Sequence, residues 1–190
     1  MFKLAEDWGA AGRPYRDAVV DTLIDMMTGD ASIVMLEADL GGASGTLKIQ
    51  KALPSQFIEC GISEANMMGV AAGMSSEGFI PFVHTFGPFA TRRAFDQVYL
   101  SGAYAHNTLN IWGSDPGFTV GANGGTHTTW EDVALMRTIP DAVVVDGADP
   151  VQTEWVVREF SKSRGIHYLR CGRKASYKVY EEGSTFELGK

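Results

Sequence analysis

Cysteine is nearly absent: Cys60 and Cys171 are the only two. They lie far apart and match no metal-ligand spacing. Neither a disulfide framework nor a cysteine metal centre is expected, and a reduced, cytoplasmic setting is the simplest reading. Clustered positive charge is also lacking. Lys and Arg number 16 against 23 Asp and Glu, a net charge of −7, so nucleic acid and anionic membrane are poor partners. No apolar run reaches the length of a membrane span, and the opening MFKLAEDWGA lacks the apolar core of a signal peptide. The histidines at 84, 106, 127 and 167 show neither HxH nor HExxH spacing. No metal site is therefore expected in this chain, and His106 and His167 read as structural or exposed. Neither a P-loop nor GxGxxG occurs, and there is no repeat or low-complexity tract.

What is present fits one soluble domain with a real core: 190 residues, 45% hydrophobic and 21% charged. Apolar runs suited to buried strands occur at 32–37, 57–60, 80–85, 109–113, 142–146 and 166–170. Helix-period segments separate them, at about 12–28, 63–77, 89–104, 130–137 and 149–163. This alternation predicts an α/β fold, a mostly parallel sheet with helices on both faces. Ligands of such sheets sit in loops at the carboxyl ends of strands. That directs attention to 38–50, 60–64, 84–90, 113–128 and 170–174.

In "FIECGISEANMMGVAAGM", Ser63 can cap a helix and Glu64 occupies its first turn. By local pattern alone Glu64 favours the helix dipole. Gly69, Ala72 and Gly73 then place small residues at spacings of three and four, which suits a close contact with another backbone. A carboxylate at the edge of such a contact is partly desolvated and can share a proton with a ligand nitrogen. In "HTFGPFATRRAFDQV", Gly87 and Pro88 turn the chain between Phe86 and Phe89. The loop "WGSDPGFTVGANGGTH" is long, glycine-rich and nearly uncharged, and such loops tend to be functional.

"GISEANMMGVAAGM", "PFVHTFGPFATRRAFDQV" and "GANGGTHTTWEDVALMRTIP", in this order, resemble the pyrimidine-binding (Pyr) domain of transketolase-family, thiamine-diphosphate enzymes. The resemblance covers nearly the whole chain. It implies that Glu64 meets N1′ of the cofactor's aminopyrimidine, where a shared carboxylic proton favours the imino tautomer that deprotonates the thiazolium C2. It implies Phe86 and Phe89 beside that ring, Phe89 stacking, and Asp39 near the thiazolium. Arg92 stands where many transketolases carry Tyr. Ser114 and Asn123 stand where the family's loop carries a sugar-reading His and Asp, so the usual pentose and hexose phosphates are in question. His127 matches the histidine of the family's "TH" pair and is expected to act in catalysis and on the substrate. Arg16 and Arg173 fall on the arginines that hold the substrate phosphate, with Arg170 and Lys174 as substitutes.

The family also needs a diphosphate module, which grips Mg2+ or another divalent ion through a GDG segment and a later Asn. No GDG occurs here, so an N-terminal diphosphate-binding subunit is expected as partner, with a homodimer when the chain is alone. Residues 1–180 read as the Pyr domain and 181–190 as a linker towards an absent C-terminal domain. The beginning resembles that of a separate subunit and the end resembles a truncation. The expected activity is transfer of a two-carbon ketol unit between phosphorylated sugars, within the pentose phosphate branch of carbohydrate metabolism. The alternatives are a 1-deoxyxylulose-phosphate synthase-like enzyme and a non-catalytic interaction module. A 2-oxo acid dehydrogenase beta subunit fits "GISEANM" and "GGTH" poorly.

Overall fold

A computed structural model describes residues 1–189; Lys190, the last residue of the expected linker, lies outside them. The chain runs β1 (Ala11–Pro14), α1 (Tyr15–Gly29), β2 (Ile33–Glu37), α2 (Gly41–Ser44), α3 (Leu47–Ala52), β3 (Phe57–Glu59), α4 (Glu64–Ser76) and β4 (Ile80–Phe86). It continues through α5 (Phe95–Gln97), β5 (Leu109–Ser114), α6 (Asp132–Met136), β6 (Val143–Asp146), α7 (Pro150–Phe160), β7 (Ile166–Cys171) and β8 (Ala175–Tyr177). Six strands form one sheet in the order β3-β2-β4-β5-β7-β6, and every pairing is parallel. The strands are mostly apolar because both faces are covered, with a few buried polar residues such as Glu37, His84 and Asn110. On one face α1 and α7 bury Val19, Val20, Leu23, Val156 and Phe160. On the other, α4 and the segment after β4 bury Met67, Met68, Ala71, Ala90, Ala94 and Val98.

All six expected strands are present, and the parallel sheet with helices on both faces is the observed fold. Several boundaries change for physical reasons. The helix expected from 12 begins at Tyr15, because β1 pairs antiparallel with β8 and Pro14, which has no N–H, holds extended backbone at the helix entrance. The loop expected over 38–50 holds the short helices α2 and α3. The helix expected over 89–104 is interrupted: π-helical turns at Phe89–Arg93 and Val98–Tyr104 flank α5. Ala72 is in the core rather than beside Gly69 and Gly73; those two glycines face open space. The entrance to α7 is a reciprocal cap: Asp149 Oδ1 accepts from the Gln152 N–H at 2.8 Å, and Gln152 Oε1 accepts from the Ala148 N–H at 2.8 Å. Asp149 Oδ2 also accepts from the N–H groups of Val179 and Tyr180, tying the C-terminal segment to α7. Residues 181–189 fold back on the N-terminus, with the Phe186 ring 4.7 Å from Tyr180 and 5.5 Å from Trp155.

Candidate cofactor and substrate site

The carboxyl ends of β2, β4, β5 and β7 bring one set of side chains together. Glu64, the first residue of α4, is only 3% exposed. Its Oε1 accepts from Arg93 Nη1 at 2.7 Å. Arg93 in turn lies over Phe89, with Cζ 3.8 Å from the ring centroid. Phe89 is 6.0 Å from Phe86, and both meet the His127 ring edge-on, at 5.1 Å and 5.8 Å. The Arg173 guanidinium lies 5.2 Å from the Phe86 centroid, and its Nε is 2.5 Å from Asp115 Oδ2. The turn at Gly87 lets this wall form, because a Cβ there would come within 2.8 Å of the Thr129 methyl.

Below the wall lies a buried polar chain. Glu37 and His84 have no exposed surface. Glu37 accepts from Thr46 Oγ1 at 2.6 Å, Ser44 Oγ at 3.0 Å and the Ala38 N–H at 3.2 Å. His84 Nδ1 is 2.8 Å from Glu37 Oε1, and Nε2 is 2.9 Å from Ser114 Oγ. Burial works to raise the Glu37 pKa, but His84 and the two hydroxyls outweigh it and hold the carboxyl below its usual range. At Asp115 the balance reverses: burial dominates over Arg173 and His84, and the pKa is raised.

The other predicted residues have plain positions. Asp39 follows β2 with φ 57°, a left-handed conformation that aspartate tolerates. Its side chain is exposed, and its N–H donates to Glu59 Oε1 at 2.8 Å, the oxygen that also accepts from the Gly61 N–H. Arg92 points to the 121–131 loop, donating to Glu131 Oε1 at 2.8 Å and to the Thr126 carbonyl at 3.3 Å. Ser114 is wholly buried beneath the wall. Asn123 is exposed on a short 3-10 turn, Gly121–Asn123. Arg16 donates to the Ala43 carbonyl at 3.2 Å. The neighbouring Tyr15 N–H donates to the Lys174 carbonyl, which sets the start of α1 beside the loop carrying Arg173. The arrangement thus joins Phe89, Phe86, His127 and Arg173 through direct contacts, and Glu64 to them through Arg93. Arg170 is engaged elsewhere, with Asp132 and Asp146. No group of three or more potential metal ligands occurs among the described residues, and none of their helices is long and apolar enough to cross a membrane.

Sequence reasoning passed over Arg93, Asp115, Glu37 and the role of His84. A signal existed for the last two: Glu37 and His84 are charged or ionisable residues inside otherwise apolar strands, which calls for a partner. Arg93 carried no signal, because the π-turn that aims it is invisible to periodicity.

A family model described as "Transketolase, pyrimidine binding domain" matches residues 11–178. The chain belongs to the transketolase family. The 6-deoxy-6-sulfo-D-fructose transketolase subunit of a Clostridium strain is 42% identical over 188 residues, 99% of this chain and 56% of that protein. An apulose-4-phosphate transketolase subunit of Phocaeicola vulgatus is 35% identical, covering 92% of this chain and 56% of its own. Human transketolase is 32% identical over 83% of this chain, which spans only 25% of it. Among solved structures, one described as "Split gene transketolase, inactive beta4 tetramer" overlays with a TM-score of 0.84 at 36% identity, over 94% of this chain and 58% of that one. The chain thus spans about half the length of the first two relatives. Thiamine diphosphate dependence is the property of this family.

Proposed function

We propose that this chain is the aminopyrimidine-binding side of a thiamine-diphosphate-dependent ketol transferase, and that it works only with a diphosphate- and metal-binding partner subunit. The observation that carries this reading is the buried Glu64 carboxylate at the rim of the phenylalanine wall. The residues suit the cofactor's ring. The Arg93 guanidinium, a nitrogen-bearing π cation, occupies the place between Phe89 and Glu64, with Cζ 3.8 Å from the Phe89 centroid and Nη1 donating to Glu64 Oε1. Its side chain is 46% exposed, so it can swing outward and yield the place.

When bound, the cofactor supplies the nucleophilic carbon that receives the two-carbon unit. Glu64 holds a proton towards N1′ of the ring. Phe86 and Phe89 orient the ring and exclude water. Asp39 offers an anion towards the thiazolium, and Arg92 braces the loop that carries His127. His127 and Asn123 face the sugar's oxygens, and Ser114 acts from beneath the wall. Arg16 and Arg173 hold the substrate's anionic group, for which the planar guanidinium fork is suited. Two relatives act, by their names, on sugars carrying a sulfonate or a phosphate. A ketose with an acidic group away from its carbonyl is therefore the proposed substrate class. Residues 1–180 form the module, and 181–189 pack back against it.

Alone, the chain pairs with itself through the open face at Gly69 and Gly73, beside the exposed Ile62 and Val70. A ketol-transfer assay tests the proposal on the chain alone, on a mixture with a GDG-bearing subunit and a form of this chain extended past its last residue, and on that mixture with Glu64 changed. Turnover is expected only in the unaltered mixture. Turnover by the isolated chain would overturn the reading.

A further inference from the structure

The buried chain below the wall ends at the anion site, and its chemistry is directional. Glu37 accepts from the Ala38 N–H and from the hydroxyls of Ser44 and Thr46, and His84 Nδ1 lies 2.8 Å from its Oε1. Held below its usual range, the carboxyl is a carboxylate and can only accept, which puts a proton on His84 Nδ1. Ser114 then has one hydroxyl proton and two acceptors in reach: His84 Nε2 at 2.9 Å and Asp115 Oδ2 at 3.4 Å. If Nε2 is bare, it takes the Ser114 proton. If Nε2 also carries hydrogen, it donates to Ser114, and the hydroxyl turns to Asp115. The same Asp115 oxygen faces Arg173 Nε. The contact is an ion pair and not an aligned hydrogen bond, since Arg173 Nε has no hydrogen-bond partner; it leaves the terminal pair of nitrogens for a ligand, and the guanidinium lies beside Phe86. Asp115 is 1% exposed, has φ 57°, and its other oxygen, Oδ1, has no partner. A carboxyl so buried, with one oxygen unpartnered, needs its neighbours to fix it.

We propose that His84 is a positioning residue for the anion end of the site: Nε2 donates to Ser114, which turns the Ser114 hydroxyl to Asp115 Oδ2 and so holds Asp115 against Arg173. The groups that face His84 are Glu37 from β2, Ser114 and the Trp112 ring from β5 (4.2 Å between rings), and Asp115. No charged group on α4 contacts it: Glu64 is turned to Arg93. The proposal rests on the reading of Arg173 as the ligand of the substrate's anion.

The test follows the 15N-labelled chain by NMR, with methanesulfonate as the probe anion because it does not titrate near neutral pH. Two readouts are taken: solvent exchange of the Arg173 Nε–H and the apparent Kd for methanesulfonate. Ser114→Ala changes no charge and removes only the relay hydroxyl. It is expected to speed Arg173 Nε–H exchange about tenfold and to weaken methanesulfonate about three- to tenfold, the range of one lost hydrogen bond. His84→Asn should do the same where it folds, and Ser114→Ala carries the test where it does not. Wild-type exchange and affinity in Ser114→Ala would overturn the proposal. Arg173→Ala separates the two readings. If it binds methanesulfonate as the wild type does, the assignment of Arg173 fails, and the exchange result for Ser114→Ala still decides whether the relay holds the Asp115–Arg173 pair.

Discussion

Two histidines of this chain are equally hidden from water and are treated in opposite ways. His84, on β4, is 0% exposed and sits against the carboxylate of Glu37. His167, on β7, is 1% exposed and is given only neutral neighbours: Asn110 Oδ1 at 2.6 Å, Ser163 Oγ at 3.1 Å and the Phe160 ring at 4.8 Å. Burial without a counter-charge pushes the His167 pKa down to about 4. The difference follows position along the strands. His84 is near the carboxyl end of its strand, under the proposed site, where buried charge is retained and compensated. His167 is near the amino end of its strand, where the fold needs only a satisfied, neutral ring. Burial alone therefore does not say what a titratable residue does; its partner does.

The comparison can be tested from its functional end first. In the assembled enzyme, Glu64→Gln should cut turnover about 10²–10⁴-fold, the usual reach of a positioned acid or base, and abolish proton exchange at the cofactor's C2. NMR after acid quench reads that exchange, and wild-type exchange in the variant would sink the role given to Glu64. Next, Glu37→Ala strands His84 and two hydroxyls without a buried acceptor. Urea unfolding should show a loss of about 3–5 kcal/mol, the cost of breaking a buried charged pair. A loss under about 1 kcal/mol would mean that the buried carboxylate is not what anchors this network.

The neutral end makes a pH prediction. Between the ordinary His pKa of 6.5 and about 4, the unfolded chain binds a proton at His167 that the folded chain refuses. Stability must therefore fall as pH is lowered through this window and level off below it. The contribution is about 3 kcal/mol. His167→Gln should flatten that part of the profile, measured as urea midpoints across pH. Glu37, whose folded pKa is depressed, adds a loss at lower pH, as acid passes through its folded value. An unchanged profile in His167→Gln would remove the contrast between the two histidines. The smallest effect is expected at the rim of the site. Arg173→Ala should raise KM for an anionic ketose about tenfold, as expected for a lost charged hydrogen bond, and spare its uncharged analogue. Equal losses on both would argue against an anion-binding role.

Much of this molecule was legible as sequence. Short Val-, Ile- and Leu-rich runs alternating with helix-period segments suit strands buried on both faces, so the parallel sheet and its two helical layers follow from pattern. The start of α4 at Glu64 was readable from a helix-start signal. Local pattern by itself left Glu64 as a helix-dipole residue and Phe86 and Phe89 as core; the resemblance of their motifs singled all three out. Tertiary structure alone decided the rest. Arg93 reaches Glu64 and Phe89 only because a π-turn replaces the regular helix the periodicity predicted. Strand β1 exists only because a segment more than 160 residues away, β8, supplies its partner. The partners of Glu37, His84, Ser114 and Arg173 come from four strands and their loops. Spacing along a chain reports local repeats; it carries no record of which strand ends meet, and there a carboxylate, an imidazole and a guanidinium acquire their chemistry.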